Sequence, residues 1–284
     1  MGRPLITPEE LAAEIGRPGL VVLDIRSAVD GGGRAAYEAG HIPGAVHTDY
    51  VAAGWRMKGA SGGAGMLPDE AALGRLLGDL GITPESRVVV APAGVSAGDF
   101  SAAARVYWTL KVAGHAEVSL LDGGTAAWAE AGLGLETVPV QPRPESPYPV
   151  RLRPELRATL AQVERAVAGS GALLVDTRGP RSYRGEEKSA VAARAGRLPG
   201  AVLQEGAAAF DAAANRLKPE AELRSLFALP EGEAVTYCNT GQQAATNWFV
   251  LSEILGRPET RLYDGSMSEW TADPARLVET GPAA

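Results

Sequence analysis

The sequence predicts an α/β protein made of two tandem domains, each with a parallel sheet that carries helices on both faces. Short, continuously apolar runs alternate along the chain with amphipathic helical stretches, which is typical of buried parallel strands and their crossover helices. A set of short motifs occurs twice in the same order. A proline-rich segment, 138–154, separates the two occurrences. We therefore predict one domain at 1–137, a linker at 138–154 and a second domain at 155–284.

The first domain opens with a helix and then a buried strand. Thr7 is placed to cap the helix, Pro8 suits its first position and Glu10 adds an acid to its first turn. The run LVVLDI at 20–25 is typical of a strand buried on both faces. Residues 54–65 are glycine-rich and predict a loop. Similar reasoning predicts a short helix and a Gly/Pro turn at 34–44, helices at 68–80 and 100–113, and strands at 87–91 and 118–121.

The second domain repeats this pattern. A helix is predicted at 159–168, and strands at 172–177 and 234–237. Three paired motifs indicate an internal duplication, because their offsets are nearly constant. The pairs are Asp24/Arg26 with Asp176/Arg178, AGHIPGA at 39–45 with AGRLPGA at 195–201, and DGGTAAW at 122–128 with DGSMSEW at 264–270. We expect the Asp-x-Arg pairs to be structural, as partly buried ion pairs that fix loops at strand ends.

Composition excludes several function classes. The chain has 284 residues and a formal net charge of −7, which argues against wholesale nucleic-acid binding. The amino-terminal residues resemble a helix start rather than a signal peptide, and no apolar run reaches transmembrane length. The single cysteine allows no disulfide within the chain. We expect a cytoplasmic protein that does not associate with membranes.

That cysteine, Cys238, lies where the predicted strand 234–237 ends and shortly before a helical pattern begins. Backbone N–H groups at the start of a helix lack intrahelical partners and can converge on an anion. Such surroundings favour a thiolate nucleophile. The alternative is a cysteine that merely fills space in the core. The position at a strand end favours the first interpretation, since ligands of parallel sheets bind outside the carboxyl ends of strands.

Taken in order, these motifs resemble the tandem-domain rhodanese family of sulfurtransferases. The segment 65–68, GMLP, is similar to a stretch typical of the first domain in that family. The resemblance covers nearly the whole chain and implies an inactive first domain and a catalytic second one. It implies that Cys238 takes a sulfane sulfur from thiosulfate or 3-mercaptopyruvate, becomes a persulfide, and passes the sulfur to cyanide or a thiol. It implies no cofactor and no metal ion.

The resemblance also implies where the donor and the persulfide bind. The loop after Cys238 would hold the persulfide through its backbone; it comprises Asn239, Thr240, Gly241, Gln242, Gln243 and Ala244. This loop carries no charge, so an anionic donor needs positive charge from elsewhere. The candidates are Arg181, Arg184 and Lys188. When the two halves are aligned, Ala91 falls opposite Cys238, so the first half lacks the nucleophile.

Two other functions remain open. The alternative is a sulfur carrier or partner-binding module within a sulfur-relay pathway, which also needs an intact cysteine loop. A phosphatase or arsenate reductase of the related fold is the third possibility. That chemistry needs a loop ending in an arginine that grips the oxyanion, and here no arginine follows Cys238 before Arg257.

Overall fold

The computed structural model describes residues 2–169 and 171–282, which divide into two α/β units. Unit 1 comprises the residues up to Trp55, Pro68–Arg153 and Asp211–Leu217. Unit 2 comprises Arg56–Leu67, Pro154–Phe210 and the residues from Lys218 onward. Each unit therefore includes a short segment that the other half of the sequence encodes. The predicted fold class, two α/β units built on parallel sheets, is confirmed.

The first half of the chain forms five strands and five helices in its described part. The strands are β1 (Leu5–Ile6), β2 (Leu20–Asp24), β3 (Val46–His47), β4 (Arg87–Ala91) and β5 (Val118–Leu121). The helices are α1 (Pro8–Ala12), α2 (Gly33–Ala39), α3 (Glu70–Asp79), α4 (Ala97–Val112) and α5 (Gly124–Glu130). All five strands pair in parallel in the order β1-β5-β4-β2-β3. Strands β4 and β5 are almost wholly buried, as their apolar runs predict.

The second half has six strands and five α-helices in its described part. The strands are β6 (Leu173–Asp176), β7 (Val202–Leu203), β8 (Phe210–Asp211), β9 (Arg216–Leu217), β10 (Ala234–Tyr237) and β11 (Thr260–Leu262). The helices are α6 (Leu160–Val167), α7 (Pro180–Tyr183), α8 (Glu220–Leu226), α9 (Gln242–Trp248) and α10 (Ser266–Trp270). Four strands form a parallel sheet in the order β11-β10-β6-β7, and β8 pairs with β9. A π-helical stretch, Phe249–Ile254, continues α9.

Local sequence signals explain where the helices begin. Thr7 caps α1 by accepting a hydrogen bond from the backbone N–H of Glu10, whose side chain accepts in return from the Thr7 N–H. Thr159 and Gln162 form the same reciprocal cap at α6. The predicted cap at Thr7 is thus confirmed. In the described residues, no helix has both the length and the apolar character that crossing a bilayer requires.

The Asp-x-Arg motifs form buried ion pairs, as predicted. In unit 1 the Arg26 Nη2 lies 2.6 Å from the Asp24 Oδ2 and donates to the Gly40 carbonyl at 2.9 Å. In unit 2 the Arg178 Nη2 makes the equivalent contacts, 2.6 Å to Asp176 Oδ2 and 2.8 Å to a glycine carbonyl. These pairs tie the end of β2 and of β6 to the loop before the next strand, which explains why the motif recurs with the fold.

The proline-rich segment packs against α3 within unit 1. The backbone N–H of Tyr148 donates to the Gly74 carbonyl at 2.8 Å, and that of Glu145 to the Gly78 carbonyl at 2.9 Å. A Cβ at Gly78 would come within 2.7 Å of the Ser146 carbonyl oxygen. The two glycines of α3 therefore allow the extended segment to lie directly on the helix backbone.

Candidate active site

Cys238 follows β10, a strand with neighbours on both sides in the sheet of unit 2. Its side chain is buried, with 2% of its surface exposed. The helix α9 begins four residues later, after a turn at Gly241, whose φ of +78° is the left-handed conformation that glycine adopts without strain. The sequence thus folds as expected: strand, cysteine, short loop, helix.

The backbone of this loop is turned toward the sulfur. The Gly241 N–H donates to the Cys238 Sγ at an N–S distance of 3.1 Å. An N–H donor aimed at a sulfur atom stabilises negative charge there, and it does so more strongly in a buried place than in water. The arrangement suits a sulfur nucleophile and a charged sulfur intermediate.

Helix α10 holds the cysteine peptide in place. The Cys238 N–H donates to the Ser266 Oγ at 3.0 Å, and that hydroxyl donates to the Tyr263 carbonyl at 2.8 Å. The backbone N–H groups of Met267 and Ser268 donate to the carbonyls of Cys238 and Asn239, each at 3.1 Å. Since the two carbonyls are held by α10, the loop keeps its shape without using the N–H that points at the sulfur.

A buried polar cluster lies under the cysteine. The Tyr237 hydroxyl donates to Asp176 Oδ2 at 2.9 Å, and the Arg178 guanidinium binds the same carboxylate. Burial opposes the charge of Arg178, but the Asp176 carboxylate, with smaller contributions from Tyr237 and Cys238, raises the pKa of Arg178 above its ordinary value. Burial, together with the Asp176 charge, raises the pKa of Tyr237 well above its usual range. The cluster therefore contains a permanent cation within electrostatic reach of Cys238.

The other residues of the loop predicted to hold the persulfide differ in how deeply they are buried. Asn239, Thr240 and Gln242 are half-buried, Gln243 is exposed, and Ala244 is buried. The Ala244 carbonyl accepts from the Thr236 hydroxyl at 3.1 Å, which ties the first turn of α9 to β10.

The predicted donor-binding cations have other partners. Arg181 is exposed and lies 3.4 Å from a Glu187 carboxylate oxygen. Arg184 binds Glu186 through a 2.6 Å contact, and Lys188 donates to the Ala192 carbonyl at 2.9 Å. In the part of the chain that the structure describes, none of these three side chains has a hydrogen bond or ion pair to the loop at 239–244.

A segment that sequence reasoning treated only as a loop contributes to this unit. Residues 56–67, which we call the arm, form a narrow turn in which Met57 and Met66 exchange backbone hydrogen bonds at 2.9 Å. The backbone N–H of Ala64 donates to the Ser268 Oγ at 3.0 Å, and that of Leu67 to Asp264 Oδ2 at 2.7 Å. The arm is thereby fixed to α10 and to the residues just before it.

The arm also reaches the cysteine loop. A Cβ at Gly65 would come within 2.7 Å of the Thr240 carbonyl oxygen, so the two backbones are in direct contact. Arg56 Nη1 donates to Gln242 Oε1 at 3.3 Å. Residues from the first half of the sequence therefore lie against the loop that follows Cys238.

Comparisons with known proteins agree with this geometry. The rhodanese-like domain family matches residues 7–131 and 159–273. The chain belongs to that family. A thiosulfate sulfurtransferase of Pseudomonas aeruginosa is 34% identical over 278 residues, covering 97% of this chain and 96% of that protein. A probable 3-mercaptopyruvate sulfurtransferase of the same organism is 37% identical over 291 residues, covering 98% of each chain.

Two solved structures share the fold of the tandem rhodanese-like domains. The 3-mercaptopyruvate sulfotransferase SseA of Escherichia coli has a TM-score of 0.77 at 26% identity, covering 93% of this chain and 99% of its own. An anaerobic ergothioneine biosynthesis enzyme of Chlorobium limicola has a TM-score of 0.84 at 25% identity, covering 99% of this chain and 71% of its own. With full-length relatives named as sulfurtransferases in several organisms, the chain is a sulfurtransferase.

The strand registers correct the alignment of the two rhodanese-like domains. Asp24 pairs with Ala91, whereas Asp176 pairs with Tyr237, so Ala91 is the counterpart of Tyr237. The residue equivalent to Cys238 is Pro92, and its carbonyl accepts from a helix N–H just as the Cys238 carbonyl does. The predicted pairing of Ala91 with Cys238 was wrong by one residue, because the two loops differ in length and only the strands fix the register. The first domain still lacks a thiol at this position.

In the first rhodanese-like domain, a side-chain carboxylate binds the backbone of the loop that follows β4. Asp99 accepts hydrogen bonds from the backbone N–H groups of Ala93, Gly94 and Val95 at 3.1, 2.6 and 3.3 Å. The Asp99 side chain is buried, with 1% of the residue exposed. In this domain an internal anion therefore takes the N–H groups that a substrate anion would otherwise use.

The buried Asp99 carboxyl predicts a pH-dependent stability. Burial, together with the nearby charge of Asp30, raises the pKa of Asp99 to about 6, although the three backbone hydrogen bonds oppose the rise. Its stabilising contribution is complete below the unfolded pKa near 4 and is lost as pH rises through about 6. We expect the free energy of unfolding of the wild type, relative to Asp99→Asn, to fall by about 2.4 kcal/mol between pH 4 and 7. Urea unfolding of both proteins across this pH range measures the difference in the free energy of unfolding. Identical pH profiles of the two proteins would refute the prediction.

Proposed function

We propose that Cys238 is the nucleophile of this sulfurtransferase and carries the transferred sulfur as a persulfide. The observation that supports this best is the Gly241 N–H directed at the buried Cys238 Sγ, 3.1 Å away. The loop 239–244 holds the persulfide through its backbone. The second domain, 155–284, contributes the chemistry, and the first domain, 1–137, joined through 138–154, lacks a nucleophile.

With thiosulfate as donor, the Cys238 thiolate attacks the outer, sulfane sulfur. A bond forms between Sγ and that sulfur while the sulfur–sulfur bond of thiosulfate breaks, and sulfite leaves with the electron pair. Cyanide then attacks the outer sulfur of the persulfide, forming thiocyanate and returning the thiolate. A thiol acceptor takes the same sulfur as a new persulfide. Charge balances in each step, and no cofactor takes part.

With 3-mercaptopyruvate, the carbon–sulfur bond breaks instead. The sulfur goes to Cys238, and the thiol proton ends on the methyl carbon of pyruvate. Relatives carry the names of both donor classes. Because the loop at 239–244 is neutral, its charge does not favour one sulfur donor over the other. We therefore propose both donors.

A rhodanese-fold phosphatase or arsenate reductase has no support at this site. That chemistry requires an arginine at the end of the cysteine loop that binds the oxyanion of the substrate. The next arginine along the chain, Arg257, donates instead to the carbonyls of Leu229, Pro230 and Gly232.

Steady-state turnover tests the proposal and separates an enzyme from a sulfur carrier. Thiocyanate is measured with thiosulfate and cyanide in large excess over protein, and the kcat/KM is compared with that for 3-mercaptopyruvate. We expect many turnovers per protein and, because the sulfur is covalently held between two half-reactions, a ping-pong pattern. A yield that stops at one sulfur per protein would indicate a carrier. An intersecting pattern would indicate direct transfer without a persulfide.

A further inference from the structure

The peptide bond that enters Cys238 is held from both sides by side-chain hydroxyls. Its N–H donates to the Ser266 Oγ at 3.0 Å. Its carbonyl, that of Tyr237, accepts from the backbone N–H and from the hydroxyl of Thr177, each at 3.0 Å. Because the N–H and C=O of one peptide point in opposite directions, these contacts fix the plane of the peptide and restrain the backbone that carries the thiol.

The first rhodanese-like domain has neither this N–H nor its serine acceptor. Pro92 stands at the position of Cys238, and proline has no backbone N–H. The paired Asp-Gly-x-x-x-x-Trp motifs put Gly124 at the position of Ser266. A Cβ at Gly124 would lie 2.4 Å from the Pro92 carbonyl oxygen, so a serine does not fit there without a shift of the loop. The donor and the acceptor of this hydrogen bond therefore occur together, in the domain that has the thiol.

Thr177 follows the same pattern. Its counterpart in the first domain is Ile25, whose backbone N–H donates to the Ala91 carbonyl at 3.2 Å. Isoleucine has no second donor for that carbonyl, whereas the Thr177 hydroxyl supplies one in the second domain. Both hydroxyls on the cysteine peptide are thus specific to the domain with the nucleophile.

Ser266 has a backbone conformation that suits glycine better. Its φ is +51°, in the left-handed region that residues other than glycine enter at a cost in free energy. Gly124 has a φ of +59°, so the two domains share this conformation. Glycine would adopt it at a lower cost, and what the serine adds is the hydroxyl that accepts from the Cys238 N–H.

Both hydroxyls are too deeply buried to meet a donor. Ser266 is 0% exposed and Thr177 is 1% exposed. Their influence on the reaction therefore passes through the backbone of Cys238 and involves no contact with substrate.

We propose that Thr177 and Ser266 are positioning residues, which hold the peptide before Cys238 so that its sulfur faces the loop N–H and the incoming donor. This inference rests on the proposed sulfur transfer through Cys238 and adds the residues that set the direction of the nucleophile. Fixing a reacting atom in the productive geometry raises the rate of the chemical step.

Rapid mixing of the full-length protein with thiosulfate tests this, because sulfite released before any acceptor is added reports the first half-reaction. Ser266→Gly removes one hydroxyl and introduces a residue that accepts the local φ. Thr177→Val removes the other and keeps a β-branched side chain. We expect each variant to lower the maximal rate of sulfite release by about tenfold, the effect of roughly one buried hydrogen bond. The half-saturating thiosulfate concentration should change by less than about threefold, since neither residue touches the donor.

The matched control is Thr271→Val, at the carboxyl end of α10. The buried Thr271 hydroxyl donates to the Met267 carbonyl at 2.6 Å and accepts from the Ala193 N–H at 2.9 Å. It therefore makes the same two kinds of hydrogen bond as Ser266, but none to the cysteine peptide. Thr271→Val should lower the urea midpoint of unfolding and leave the maximal rate within about twofold of the wild type.

Ser266→Ala separates the hydroxyl from the backbone conformation. It lacks the hydroxyl and keeps a Cβ at positive φ, so we expect the same fall in rate as in Ser266→Gly and a lower urea midpoint. A rate that follows the urea midpoint across all these variants, whether or not the cysteine peptide loses a hydroxyl, would overturn the inference, because that pattern indicates general loosening of unit 2.

The outcomes separate this inference from the proposed function. If the wild type releases sulfite through Cys238 and both Ser266→Gly and Thr177→Val do so at the wild-type rate, the inference is wrong and the proposed function stands. A higher half-saturating thiosulfate concentration with an unchanged maximal rate also overturns the inference, since that indicates a role in donor binding. Absence of any Cys238-dependent sulfite release from the wild type refutes the proposed function itself.

Discussion

Replacing Cys238 by alanine is expected to lower kcat/KM for sulfur transfer by at least about 10³-fold, as loss of a covalent nucleophile does in other enzymes. The fold should survive, because the change removes one buried sulfur atom and leaves the backbone contacts from Ser266 and Met267 to the cysteine peptide in place. Thiocyanate formation and circular dichroism on the same preparation measure the two effects.

The matched control for that variant is Pro92→Ala, at the equivalent strand end of the first domain. It should leave turnover within about twofold of the wild type, since Pro92 has no group that can attack a donor. Turnover retained by Cys238→Ala would show that sulfur moves without this thiol. Loss of activity in both variants would point to damage that is not specific to the second domain.

Replacing Arg178 by methionine is expected to destabilise unit 2 by about 3–5 kcal/mol, because it leaves the buried Asp176 carboxylate without its counter-charge. Asp176 would retain hydrogen bonds from the Tyr237 hydroxyl and the backbone N–H of residue 178. Since Tyr237 immediately precedes Cys238, we also expect kcat to fall under conditions where the protein remains folded.

Arg26→Met provides the matched control, because the Asp24–Arg26 pair has nearly the same geometry in unit 1. Hydrogen exchange followed by mass spectrometry locates the lost protection in one unit or the other. We expect each variant to loosen its own unit and only Arg178→Met to reduce kcat. Equal losses of activity in both would contradict a role for the Asp176–Arg178–Tyr237 cluster in supporting the cysteine loop.

The sequence predicted the sheet cores because their signals are local. The runs at β2, β4 and β10 are mostly apolar, and the Asp-x-Arg motifs mark the ends of β2 and β6. The position of Cys238 between β10 and α9 followed from the same patterns. These features depend on burial and periodicity within a few residues, which a single sequence displays.

The arm could not be predicted, since its structure depends on residues far along the chain. Ser61 and Glu269 are separated by 208 positions, and Arg56 and Gln242 by 186. A glycine-rich stretch without periodicity gives no indication of such partners. Arg56 and Lys58 stood out in the sequence only as cations next to Trp55 in a glycine-rich stretch.

The three predicted donor-binding cations were chosen by their sequence position relative to the Asp176 motif. Glu186 and Glu187 lie within a few residues and pair with Arg184 and Arg181 in the structure, and donor binding by these cations stays a prediction. Charge balance within a short segment was visible in the sequence and argues for mutual pairing.

The most direct test of the central claim is the mass of the Cys238-containing peptide after exposure to thiosulfate without acceptor. We predict a gain of one sulfur atom on that peptide, with release of an equal amount of sulfite, and complete loss of the added mass when cyanide is supplied. An unmodified Cys238 peptide from a protein that nonetheless produces thiocyanate would contradict the persulfide mechanism.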